Sequence, residues 1–287
     1  MSTAIKKIGV AGCGQMGSGI AQVCAQVGYQ VTVSEISADL LKKGLESIGA
    51  SLSRAVAKGK LTEPERNAIL SRVKGTTTFK DFSQCDLVIE AVVENLDAKK
   101  KVFAELDKIC PPHTIIASNT SGFPIIEMAM ATGRPDKVLG IHFFNPAPVM
   151  KLLEIVRSIA TSAETLETAK AFGASIGKTV VVARDMPGFI VNRLMLPQVL
   201  NAIRMLESGV ATREDIDTAL TLGLNHPIGP LALADLIGLD TLYSLANTLY
   251  AEYKEPQYAP PVMLARMVSA GWLGRKKGKG FYDYPNQ

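Results

Sequence analysis

The sequence predicts an α/β protein: a doubly wound, mostly parallel sheet followed by an all-α C-terminal domain. Three observations carry this. Over residues 1–184, short runs rich in β-branched residues alternate with helical stretches, the arrangement of βα units in a parallel sheet. A glycine-rich loop separates the first such run from the first helix. After Asp185 the runs stop, and helical patterns occupy residues 185–287.

The first strand, IKKIGVAG at 5–12, leads into GCGQMG and then the helix GSGIAQVCAQVG at 17–28. Gly12, Gly14 and Gly17 stand at GxGxxG spacing, which is weak evidence alone because turn glycines are common. Between a strand and a helix, these glycines allow a tight turn, a close backbone approach and a helix N-terminus that together cradle a pyrophosphate. Gly12, Gly14, Gln15, Met16 and Gly17 are therefore expected to hold a dinucleotide, which makes the domain Rossmann-type. The second strand, YQVTVSE, ends on Glu35, where a carboxylate can accept both ribose hydroxyls. No Arg or Lys follows in EISAD to meet a 2′-phosphate, so NAD is expected over NADP.

A long helical stretch follows at 37–60, with Ser51, Arg54 and Lys58 on one face. Strands VKGTTTF, DLVIEAVV, TIIASN, VLGIHFF, LLEIV and TVVVA complete the sheet, with a helix at 162–177 before the last. In the C-terminal region, PGFIVNRLMLPQVLNAIRMLESG reads as one helix with Pro187 near its first turn. TREDIDTAL starts another, with Thr212 as N-cap and Asp215 near the capping-box position.

Composition sets bounds on function. A chain of 287 residues suggests two domains at ~100–200 residues each. A net charge of +4 is too mild to predict nucleic-acid binding. The four cysteines form no close pairs, so neither a metal site nor a disulfide framework is expected. No apolar run reaches the ~18 residues of a membrane span, and no secretory signal is evident, so a cytoplasmic protein is expected.

One polar pair stands out. His142 lies at the end of an apolar strand, and Glu154 lies inside the next on the face of Leu152 and Val156. A carboxylate on such a face is costly unless paired and hydrogen-bonded. A histidine is its natural partner, and a histidine oriented by a carboxylate is a suitable base for removing a hydroxyl proton during hydride transfer. His113 and His226 have no such partner in the sequence and look structural.

The segments SNTSGFPI, GIHFFNPAPVMKLLEIV, DMPGFIVNR, NHPIGPLALAD and GWLGRKKGKGFYDY resemble the signatures of the 3-hydroxyacyl-CoA dehydrogenases. Within that family the chain most resembles the bacterial 3-hydroxybutyryl-CoA branch. The resemblance implies that His142 is the catalytic base, Glu154 its partner, and Ser121 and Asn192 hydrogen-bonding groups for the substrate. It implies that Glu94, Lys99, Asn145 and Lys276 contact NAD, that Ser51 and Lys58 meet the nucleotide of an acyl-CoA substrate such as acetoacetyl-CoA, and that the enzyme is a homodimer. Two positions depart from the family pattern: Gly122, where a second serine or another small residue is frequent, and Glu35, where aspartate is commoner.

Two rivals share parts of this pattern. The 3-hydroxyisobutyrate and 6-phosphogluconate dehydrogenases share the architecture but rely on a lysine of the helical domain, where this chain offers Asn192 and Arg193. A non-catalytic NAD-binding protein would keep the fold without turnover. The helices after Asp185 are apolar over more than one face, which predicts a homodimer closed through the C-terminal domain, with each active site between the two domains of one chain.

Overall fold

The computed structural model describes residues 5–284. Among them, eight strands form one sheet: β1 (Lys7–Ala11), β2 (Gln30–Ser34), β3 (Val73–Thr76), β4 (Leu87–Glu90), β5 (Ile115–Ser118), β6 (Val138–Phe143), β7 (Leu152–Arg157) and β8 (Thr179–Arg184). The helices are α1 (Gln15–Gln26), α2 (Ala38–Ala57), α3 (Glu63–Ser71), α4 (Leu96–Ile109), α5 (Ile125–Ala129), α6 (Ala163–Ser175), α7 (Val191–Glu207), α8 (Arg213–Gly223), α9 (Pro230–Ile237), α10 (Leu239–Tyr253) and α11 (Val262–Ser269). All eight expected strands are present, and every strand lies in the first of two compact units, Met1–Met186 and Pro187–Gln287. Asp185 stays with the first unit because its carboxylate accepts the Ile125 and Ile126 N–H groups at 2.8 Å each.

The sheet order is β3-β2-β1-β4-β5-β6-β7-β8. Every neighbouring pair is parallel except β6 and β7. Residues 144–151 explain the exception, since a parallel return needs a crossover of about a dozen residues or more. Strands β4, β5 and β6 are buried along their whole length, which is why they read as continuous apolar runs rather than alternating ones. Side-chain caps start the helices where the sequence supplies them. Ser37 caps α2, Asn95 caps α4, Ser162 caps α6, and Thr62 with Glu65 makes a full capping box on α3.

The helical unit packs Leu196, Val199, Leu200 and Ile203 of α7 against Leu231, Leu242, Leu249 and Leu264. Its first helix begins later than the pattern suggested. Gly188 (φ +78°) and Phe189 (φ +44°) lie in the left-handed region, so Pro187 falls outside and α7 opens at Val191. The proline inside the helix is Pro197, which forgoes one backbone hydrogen bond. Thr212 caps α8 as expected, accepting from Asp215 N and donating to the Asp215 carboxylate. Two buried carboxylates tie the last described residues down. Asp235 accepts from the backbone N–H of Phe281 and Tyr282 and from the Tyr284 hydroxyl. Asp217 accepts from Leu231 N, Ala232 N and the Tyr282 hydroxyl.

Candidate active site

His142 and Glu154 are direct cross-strand partners in the antiparallel β6–β7 ladder. Opposite residues in such a ladder project to the same face, so the register alone brings them together. His142 Nδ1 lies 2.7 Å from Glu154 Oε2, with the residues 4 % and 0 % exposed. An ionised carboxylate only accepts, so Nδ1 carries the hydrogen and Nε2 keeps its lone pair in the neutral ring. Nε2 faces the Ser121 hydroxyl at 3.2 Å, and the Phe144 ring packs beside the imidazole. An imidazole oriented by a carboxylate, with a hydroxyl on its other nitrogen, is an arrangement that can take up and return a proton.

Ser121 sits in the loop after β5, and that loop is pinned on several sides. Asn119 Oδ1 accepts from Phe143 N at 2.9 Å, tying the loop to the strand that bears His142. Thr120 Oγ1 accepts from Gly122 N and Phe123 N, and donates to Glu94 Oε1. Ser121 N donates to the same Glu94 oxygen at 3.3 Å. Lys99, 1 % exposed, bridges Glu94 Oε2 at 3.1 Å and the fully buried Glu90 Oε1 at 2.7 Å. Asn119, Thr120 and Glu90 had not been singled out in the sequence. Glu90 carries the same signal as Glu154, a carboxylate in an apolar strand.

The glycine loop has the geometry a pyrophosphate requires. Gly12 has φ +104°, and a Cβ there would lie 2.5 Å from Ala91 O. A Cβ on Gly17 would lie 1.9 Å from Gly12 O, whereas one on Gly14 would meet nothing within 4 Å. The space over Gly14 is therefore a cradle that a side chain would begin to fill. No side chain caps α1 at this end. Met16 packs against the core of the unit, and Gln15 Nε2 donates to Asn145 Oδ1 at 3.3 Å. Glu35 accepts from Cys13 N at 2.9 Å and from Ile36 N at 2.8 Å, so its carboxylate braces the loop. It also borders a cleft of about 230 Å³ with Gly12, Ile36, Thr78, Phe79 and Val92, a polar rim on an apolar wall suited to a nucleoside.

The remaining expected residues belong to α2 or to the helical unit. Ser51 is half-buried on α2, and Lys58 is exposed as that helix's C-cap. Asn192 stands in the first turn of α7 in the helical unit. Lys276, also in that unit, is ion-paired with Asp240 at 2.6 Å. Burial alone would raise the Asp240 carboxyl, but Lys276 and the Thr241 N–H outweigh it and hold it below its ordinary value. One expectation needs correction. His113 does have an acidic partner, Asp86, 3.2 Å away where the adjacent strands β4 and β5 begin, which the sequence hid because the two are 27 residues apart. Among the described residues, no group of three or more His, Cys, Asp or Glu side chains could hold a metal ion, and no helix is long and apolar enough to cross a membrane.

Comparison with known proteins adds to this geometry. Residues 7–186 match the family model "3-hydroxyacyl-CoA dehydrogenase, NAD binding domain", and residues 188–284 match "3-hydroxyacyl-CoA dehydrogenase, C-terminal domain". A 3-hydroxybutyryl-CoA dehydrogenase of Mycobacterium tuberculosis is 50% identical over 286 residues, covering 99% of this chain and 100% of the relative. The crystal structure of M. tuberculosis FadB2 superposes with a TM-score of 0.97 at 50% identity, covering 98% of this chain and 100% of that one. An (S)-3-hydroxybutyryl-CoA dehydrogenase from Ralstonia eutropha gives a TM-score of 0.95 at 44% identity, covering 99% and 100%.

Proposed function

The chain belongs to the 3-hydroxyacyl-CoA dehydrogenase family and is an NAD-dependent oxidoreductase, and from that premise we propose that it interconverts (S)-3-hydroxybutyryl-CoA and acetoacetyl-CoA. The observation that carries the reading is the buried His142–Glu154 pair with the Ser121 hydroxyl at the ring's Nε2. When bound, NAD supplies the hydride acceptor or donor at its nicotinamide. Gly12, Gly14, Gln15, Met16 and Gly17 would hold its pyrophosphate and Glu35 its ribose, with Glu94, Lys99, Asn145 and Lys276 as further cofactor contacts. His142 Nε2 takes the 3-hydroxyl proton in oxidation and returns it in reduction. Glu154 fixes the tautomer that leaves Nε2 available and sets a negative charge beside the ring as it gains a proton. Ser121 and Asn192 would align the reacting oxygen and acyl carbonyl, a positioning contribution.

Ser51 and Lys58 would meet the CoA nucleotide, which lets remote binding help to position the acyl end. The first unit would then carry most of the cofactor site, the proton transfer and the CoA contacts, and the helical unit would add Asn192, Lys276 and a homodimer contact. A cytoplasmic place in butyrate or fatty acid metabolism fits such a substrate. NADH oxidation driven by acetoacetyl-CoA is the test: an enzyme inert with this thioester and NADH, and with (S)-3-hydroxybutyryl-CoA and NAD, would overturn the assignment.

A further inference from the structure

Glu90 has no role in the reaction described so far, yet two separate hydrogen-bonded routes run from its carboxylate to the Ser121 loop. One leaves Oε1, which accepts from Lys99 Nζ at 2.7 Å and from Val92 N at 2.7 Å. Lys99 then pairs with Glu94 Oε2, and Glu94 Oε1 accepts from both the Thr120 hydroxyl and Ser121 N. The other route leaves Oε2, which accepts from the Ser118 hydroxyl at 2.6 Å, and Ser118 Oγ accepts in turn from Thr120 N at 3.1 Å. The two routes close a ring around Thr120 and Ser121, with Glu90 at its far side.

The placement is costly unless it does something. A fully buried carboxylate and a fully buried ammonium each lose their hydration, and such pairs seldom stabilise a fold more than apolar residues of the same size would. What a buried, fully hydrogen-bonded ring does provide is a fixed geometry. Lys99 has two carboxylates to satisfy it, one buried and one half exposed. Without the charge on Glu90, Lys99 is drawn wholly to Glu94, and Glu94 is the group that holds Ser121 N.

We propose that Glu90 is a positioning residue for the dehydrogenase reaction: through Lys99–Glu94 on one side and Ser118 on the other, it fixes the Ser121 hydroxyl against His142 Nε2. This rests on the reading of Ser121 as a substrate-aligning group. The test is a double-mutant cycle of Glu90→Gln and Ser121→Ala, following kcat for acetoacetyl-CoA reduction at saturating NADH. Glu90→Gln should lower kcat by about tenfold in the wild-type background and by less than about threefold once Ser121 is alanine, since groups acting as one unit are not additive. A loss of equal size in both backgrounds overturns the proposal, because a general loosening of the fold would not depend on Ser121. Wild-type kcat in Ser121→Ala alone overturns the underlying reading and the proposal with it. Should Glu90→Gln not fold, Ser118→Ala takes its place in the cycle. It removes the Oε2 route only, with the same non-additivity expected and the same equal loss as refutation.

Discussion

At His142 the two ring nitrogens are told apart by what each can reach: a carboxylate on one side, a hydroxyl on the other. Replacing His142 with Gln should lower kcat by about 10²–10⁴-fold, the usual worth of a general base, while NADH binding measured by fluorescence titration stays near wild type. Glu154→Gln should cost less, since a misoriented imidazole still accepts a proton; a larger loss than that of His142→Gln would reverse the roles. Glu35 sets a second residue-level expectation. A carboxylate at the ribose repels a 2′-phosphate, so kcat/KM should favour NADH over NADPH, and Glu35→Ala should narrow that ratio. Because Glu35 also accepts Cys13 N, the same change should raise KM for NADH; an unchanged KM would show that the loop does not need this brace. His142, Glu154 and Glu35 were legible because each is a charged or titratable group at a strand end or on an apolar face. Glu90 carries the same signal, with Lys99 in the helix that follows it, whereas Thr120 carries none, because its partner Glu94 comes from the neighbouring βα unit and only the closed sheet brings the two together.

Elements are held to one another by buried carboxylates that accept backbone N–H groups, and these set stability rather than chemistry. Gly280 packs so tightly on one of them that an added Cβ would lie 1.9 Å from Asp235 Oδ1. Gly280→Ala should therefore destabilise the helical unit by about 1–3 kcal/mol in urea unfolding, the range for overpacking; a change within about 0.5 kcal/mol would mean the terminal segment shifts freely. Asp86 ties the start of β1 to β4 through the Lys6 and Lys7 N–H groups. Burial alone would raise its carboxyl, but those two N–H groups and His113 outweigh burial and hold it below the ordinary value. The unfolded chain thus binds this proton more readily than the folded one, so Asp86 contributes stability above the unfolded value of about 3.9 that is lost as pH falls through the folded value. The melting temperature of Asp86→Asn should decline less steeply than that of wild type below about pH 4; parallel declines would place the acid sensitivity elsewhere. The strands and the α8 cap were legible from β-branched runs and a Thr-x-x-Asp signal, but the start of α7 was not. Pro at a first turn is a common signature, and it was overridden by the left-handed backbone at Gly188 and Phe189.

For the whole molecule, the helical unit leaves large apolar side chains in solvent, among them Leu194 at 73 % and Leu222 at 81 % exposed. A self-complementary two-fold contact would cover such a surface, and light scattering at micromolar concentration should give a dimer mass. A monomer would refute it. The division into a sheet unit and a helical unit was legible because the sequence changes period where it changes architecture. The antiparallel pairing of β6 with β7 leaves its mark only in the connection at 144–151, too short for a parallel crossover, because strand direction leaves none on the buried runs themselves. That reversal has a consequence for how this chemistry can be moved or varied. His142 and Glu154 belong to a single hairpin, so both partners and their register are carried by seventeen consecutive residues, 140–156. Lengthening the connection at 144–151 leaves the ladder in step, whereas inserting one residue inside either strand turns one partner to the opposite face. What is inherited, or grafted onto another parallel sheet, is therefore the hairpin as a cassette and not two separate side chains.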